Sequence, residues 1–80
     1  MKVLKAVADI NRLKIMKRLA KGEECACRLL SHLKVSQPAC SQHLKVLLEA
    51  GLVKVREEGS RRIYSLSKKG LNVLKDIARW

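Results

Sequence analysis

Two cysteines one residue apart, Cys25 and Cys27, form the most reactive pairing in this 80-residue sequence. Thiolates are soft ligands, and a pair of them selects As(III), Sb(III), Cd, Pb, Zn or Cu(I) over hard cations. The surrounding apolar period begins a helix at about Cys25, where exposed backbone N–H groups favour a thiolate. Residues two apart on a regular helix point roughly 200° apart by the 3.6-residue period. Closing both sulfurs on one ion is therefore expected to unwind the first turn, and a disulfide across Cys25-Ala26-Cys27 would demand the same. Cys40, at the far end of the helix pair, suits a core position better than a ligand's, because free cysteine is among the most buried residue types. His32 is expected in solvent, and His43 at the core border as a packed, hydrogen-bonded side chain. No base–nucleophile or carboxylate pair stands out, and no thioredoxin-like βαβ pattern surrounds the thiols, so an enzyme is not expected.

A second set of side chains suits recognition of nucleic acid. Pro38, Ser41, Gln42 and Lys45 share the outer arc of a helix over residues 37–50, opposite Cys40, His43, Leu44, Leu47 and Leu48, with Gln37 in its first turn and Ser36 as its cap. Short uncharged Ser and Gln groups donate to and accept from base edges in a major groove, and Gln can bind adenine through two hydrogen bonds. Lys45 lies further along and suits phosphate. Arg61 and Arg62, with Arg56, cluster near Gly59, where a hairpin tip would reach the minor groove or its flanking phosphates. Glu57 and Glu58 oppose that role, so they are expected to face away or to pair with an arginine.

The elements that position these groups follow from caps and breakers. Lys2–Ala8 is a short amphipathic helix. Asp9 caps a central helix over Ile10–Ala20, which carries Ile10, Leu13, Ile15, Met16, Leu19 and Ala20 on more than half its circumference and stops at Gly22. A third helix spans about Cys25–Leu33. Three residues later Ser36 caps a fourth, with Pro38 in its first turn, and Gly51 ends it. Two helices across so short a turn make a helix-turn-helix. Leu52–Arg56 and Arg61–Leu66 alternate as a β-hairpin, and Ser67 caps a last helix running to Trp80, weakened by Gly70. The expected fold is mainly α with a β-hairpin wing, a winged helix-turn-helix of order α-α-α-α-β-β-α, dimeric, with residues 1–80 as one DNA-binding and dimerisation domain.

Charge agrees with that reading. Eighteen Lys and Arg against seven Asp and Glu leave a net charge of +11, which makes a polyanion the natural partner. Residues 1–22 carry +6 whereas residues 23–50 carry none, so the helix meant to read bases is neutral and its flanks hold the backbone. Apolar residues reach 48%, enough to fold. With a single Tyr and a single Trp, an RNA binder that stacks bases is poorly provided for. No apolar run approaches the ~20 residues of a membrane span, and no secretory signal leads from Met1. Three cysteines without such a signal fit free thiols in the cytoplasm. Leu71, Val73, Leu74, Ile77, Ala78 and Trp80, with Leu4 and Val7, exceed one contact stripe, so the terminal helices are expected to pair two copies about a two-fold axis.

The run Ser36-Gln37-Pro38-Ala39-Cys40-Ser41-Gln42-His43-Leu44-Lys45 is similar to the S-Q-P-A-x-S-Q-H-L-K core of the ArsR/SmtB family of metal-sensing repressors. The resemblance continues through Glu49-Ala50-Gly51-Leu52-Val53, Arg56-Glu57-Glu58-Gly59 and Tyr64-Ser65-Leu66. Glu24-Cys25-Ala26-Cys27-Arg28-Leu29 looks like the family's E-L-C-V-C-D-L inducer-binding element. The resemblance implies a homodimer on a palindromic double-stranded operator, with no obligatory cofactor. It also implies release when As(III), Sb(III) or another thiophilic ion binds Cys25 and Cys27. It departs from the family pattern at Leu30, where arsenic sensors often place a third cysteine, and at Arg28 in place of Asp. The Asp/His zinc site of the last helix is missing, which disfavours nickel and zinc sensing. Two alternatives stay open: a thiol-redox sensor answering oxidants or persulfides, and a constitutive DNA-binding protein.

Overall fold

The computed structural model describes residues 2–78, with the side chain of Lys2 left out. Trp80, expected in the dimer face, lies outside the described residues. The order is α1 (Lys2–Val7), α2 (Ile10–Leu19), β1 (Glu24–Cys25), α3 (Ala26–His32), α4 (Gln37–Glu49), β2 (Val53–Glu58), β3 (Arg61–Leu66) and α5 (Lys68–Ala78). The winged helix-turn-helix is as expected. The additional element is β1, which pairs antiparallel with β3 and gives a three-stranded sheet of order β1-β3-β2.

Local chemistry explains most boundaries. Asp9 accepts hydrogen bonds from the backbone N–H groups of Asn11 (2.8 Å) and Arg12 (3.3 Å), satisfying two of the orphan donors at the start of α2. Ser36 does the same for Ala39 N–H at 3.2 Å, with Pro38 in the first turn of α4. Gly51 (φ +75°) ends α4, and Gly59 (φ +64°) makes the wing turn, both in the left-handed region that suits glycine. The Lys69 ammonium donates to the carbonyl of Ala50 at 2.9 Å, placing a cation at the C-terminus of α4.

The core sits where α2, α4 and the wing base meet, and its most enclosed side chains are Ile15, Met16, Leu29, Leu47 and Leu52. Cys40 and Leu44 join Leu47 on the buried arc of α4, as the period requires. The central helix is narrower in its burial than its composition suggests. Ile10, the first residue of α2, is 65% exposed, and Ala20, its C-cap, is exposed, whereas Ile15, Met16 and Leu19 are buried.

Two side chains tie the layers together. The Arg12 guanidinium donates to the carbonyls of Ala6 (2.9 Å) and Lys5 (2.8 Å), capping α1, and lies 3.4 Å from Nδ1 of His43 on α4. His43 is thus the packed, hydrogen-bonded histidine expected, and His32 is exposed. Ser67 donates its hydroxyl to the carbonyl of Gly51 (2.7 Å) and accepts from Gly70 N–H (2.9 Å), locking α5 to the end of α4. Gly70 is demanded by packing: a Cβ there would stand 2.1 Å from the carbonyl oxygen of Leu52.

Candidate functional site

The expected helical placement of Cys25 is corrected by the sheet. Cys25 is extended (φ −76°, ψ 155°), pairs with Ile63 of β3, and serves as the N-cap residue of α3. Cys27 alone lies inside the helix. Because Cys25 precedes the helical rotation, its side chain does not follow the 100° step, and the two sulfurs lie 2.7 Å apart. The conflict between helical period and chelation is therefore absent, and so is the need to unwind α3. Two thiolates held at about 2.3 Å by one tetrahedral ion lie about 3.8 Å apart, so this pair needs to open by only about 1 Å to take one ion.

The two thiols differ. Cys25 is buried and Cys27 exposed. Contact with the Cys27 thiol, aided by the positive charge of Arg61, lowers the Cys25 pKa below that of an ordinary thiol. Cys27 is raised by the same contact. Glu24, beside them on β1, bonds to Arg18 of α2 at 3.0 Å and anchors the strand from behind.

Cys40 does occupy the core, at 3% exposure, and burial raises its pKa. Its expected distance from the pair is corrected: it borders the same cleft as Cys25 and Cys27. That cleft, about 390 Å³, runs between the N-terminal ends of α3 and α4 and the wing. Cys25 and Cys27 line one wall, Gln37 and Ser41 another, and Arg61 and Arg62 the third. Four of the seven residues singled out for DNA thus meet the thiols in one place. Ser36, Gln42 and Lys45 are exposed on α4 outside the cleft. Ala26, Leu30, Leu44 and Ser60 complete the lining, and no sequence signal placed them beside the wing, because the angle at which the wing approaches α4 is not written in either segment.

The wing is longer than expected and its arginine cluster is smaller, while Glu58 pairs with arginine as expected. Its strands run on through Glu57 and Glu58 to a two-residue Gly59-Ser60 turn, since Glu57 faces Arg62 and Glu58 faces Arg61 across the ladder. Arg56 is engaged with Glu23 and Glu58, both side chains half exposed, so it is not part of an open cluster with Arg61 and Arg62. Arg61 makes only a loose 3.7 Å contact with Glu58. Among the described residues Arg62 makes no ion pair, and no group of three His, Cys, Asp or Glu could hold a metal ion. None of the described helices is long and apolar enough to cross a membrane.

Known proteins share this fold. The profile described as "Bacterial regulatory protein, arsR family" matches residues 9–55. The arsenical resistance operon repressor of Staphylococcus xylosus is 40% identical over 72 residues, which cover 90% of this chain and 69% of that protein. A crystal structure of a possible transcriptional regulator for arsenical resistance superposes with a TM-score of 0.84 at 37% identity, covering 99% of this chain and 82% of the other. The homodimeric winged helix-turn-helix domain of a possible ArsR-family regulator from Mycobacterium bovis superposes at 0.88 with 28% identity, covering 96% and 72%. With its helix-turn-helix, its wing and these relatives, the chain belongs to the arsR family of bacterial regulatory proteins, as a winged helix-turn-helix transcriptional repressor rather than an enzyme.

Proposed function

We propose that residues 1–80 act in the cytoplasm as one DNA-binding and dimerisation domain, which occupies an inverted-repeat operator as a homodimer. It leaves the operator when a trivalent arsenical, or Sb(III), bridges Cys25 and Cys27. The observation that carries this reading is the cleft in which a dithiol, with sulfurs 2.7 Å apart, faces Gln37, Ser41, Arg61 and Arg62. Gln37 and Gln42 read base edges with Ser36 and Ser41, Lys45 meets phosphate, and Arg61 and Arg62 hold the backbone beside the groove. A ligand on the thiols therefore competes with DNA for the space between α4 and the wing, without any distortion of α3. Two thiols suit an arsenical that retains one ligand of its own better than a zinc ion requiring four. When bound, such an ion supplies only the bridge between the sulfurs.

Dimerisation is supported by the apolar side chains left outside the core on the terminal helices, Leu4 on α1 (60% exposed) and Leu71 on α5 (38%). The Mycobacterium bovis domain, with the same fold, is homodimeric. Pairing these helices would space two copies of α4 about one helical turn of DNA apart.

The asymmetry of the thiols supports a second reading, in which an oxidant is the signal. The Cys25 thiolate would attack a peroxide to give a sulfenic acid, and Cys27 would displace water to form the disulfide. Operator binding followed by fluorescence anisotropy, with arsenite, cadmium and hydrogen peroxide added in turn, separates the readings. Arsenite is expected to release the wild type and neither Cys25→Ser nor Cys27→Ser. Release by peroxide alone would favour the redox reading. Release of a double serine variant by arsenite would remove the dithiol from the mechanism.

A further inference from the structure

We propose that the cleft beside the dithiol is a subsite for the third substituent on arsenic, selective for an organic group that carries a negative charge. This inference rests on the arsenical reading above. Trivalent arsenic makes three bonds, and the adjacent sulfurs of Cys25 and Cys27 supply two. Cys40 borders the cleft, but among the described residues no third His, Cys, Asp or Glu is placed to complete a metal-holding group with the pair. The third bond therefore belongs to something the ligand brings with it.

The surroundings of Cys25 show on which side that substituent lies and what it is. On one side, Cys25 faces a mixed-charge groove with the carboxylates of Glu23, Glu24 and Glu58. On the other it faces the 390 Å³ cleft, whose lining contains Arg61 and Arg62 and no carboxylate. Ala26, Leu30 and Leu44 give that cleft an apolar side, and Gln37, Ser41 and Ser60 add neutral polar groups near its mouth. A cavity of about 150 Å³ already accepts benzene. An aromatic ring on arsenic, bearing a carboxylate directed at the two guanidinium groups, matches this combination of volume, apolar wall and positive rim.

The chemistry is a condensation without redox change. Each thiol proton leaves with one hydroxyl of R–As(OH)2, two As–S bonds replace two As–O bonds, two waters depart, and the As–C bond stays intact. The bound anion would then occupy Arg61 and Arg62, so the inducer would remove wing charge from DNA as well as fill the cleft.

The test is direct binding to the reduced full chain without DNA, by calorimetry and by the ultraviolet absorbance of As–S bonds. Phenylarsonous acid is compared with its 4-carboxy derivative. The carboxylate form is expected to bind about tenfold tighter or better, and this preference should shrink as salt is raised. In Arg61→Gln/Arg62→Gln the preference should vanish while phenylarsonous acid still binds. Gln37→Glu, which places a carboxylate at the cleft from an exposed helical position, should reverse it and serves if the double variant does not fold. Equal affinities in the wild type, or a preference that survives these substitutions, would overturn the subsite and leave the dithiol reading standing. Binding of either compound by a Cys25→Ser/Cys27→Ser chain would overturn the dithiol reading itself.

Discussion

The recognition helix α4 and the thiol-bearing segment 23–27 lie against the same cleft, yet they are held by opposite kinds of force. Helix α4 carries its own start signal in Ser36 and Pro38, and buries Cys40, Leu44 and Leu47 in the core. Segment 23–27 has no cap of its own. It owes its shape to a two-residue ladder with β3 and to two ion pairs, Glu24 with Arg18 and Glu23 with Arg56. The base-reading element is thus rigid and locally encoded, whereas the sensing element is held from outside. A ligand can engage the second without having to unfold the first.

Three measurements would break or sharpen this contrast. The largest effect is expected from Leu47→Ala. Leu47 is fully buried on α4, so its truncation should cost about 2–5 kcal/mol in urea unfolding. Cys27→Ser, at an exposed position, should cost less than about 0.5 kcal/mol. Similar costs at both sites would mean that the two regions are equally integral to the core.

Next comes native-state amide exchange. The backbone amides by which β1 is held to β3 are expected to exchange at least about tenfold faster than those of Leu44 and Leu47, a gap of about 1.4 kcal/mol in local opening. Equal protection would place β1 in the same cooperative unit as α4.

The smallest effect concerns Glu24→Gln. The side-chain bond to Arg18 holds the Glu24 carboxyl below its usual pKa. Its stabilising contribution is therefore complete above the unfolded-state value near 4.5 and is lost as the pH falls through the lower folded-state value. Wild type should exceed the variant by about 0.5–1 kcal/mol at pH 7, and the difference should close in that acid window. A pH-independent difference would mean that Glu24 acts through packing and not through its charge.

Much of this protein was legible in its residues. Asp9, Ser36, Gly51 and Gly59 marked the boundaries they make, and the outer face of α4 is exposed where a 100° wheel puts it. The inner face was equally plain, down to Cys40 in the core and His43 at its border. Errors gathered where a residue answers to a distant partner. Ile10 reads as core but has nothing packed over it. Glu57 and Glu58 read as turn residues but extend the strands, because Arg62 and Arg61 stand opposite them. Arg56 reads as a wing cation for DNA, yet it is engaged by Glu23 and Glu58.

The sequence by itself determined the winged helix-turn-helix, the polar face of α4, and the presence of a thiol pair with affinity for soft ions. Each depends on caps, periodicity and side-chain chemistry that act within a few residues. Only the tertiary structure decided that Cys25 is extended, that its sulfur already meets that of Cys27, and that both share a cleft with Gln37, Ser41, Arg61 and Arg62. Those facts come from the pairing of β1 with β3, some forty residues further along the chain. A strand two residues long has too little period of its own to announce itself. Its conformation comes from the hydrogen bonds and the packing surface that the partner strand provides.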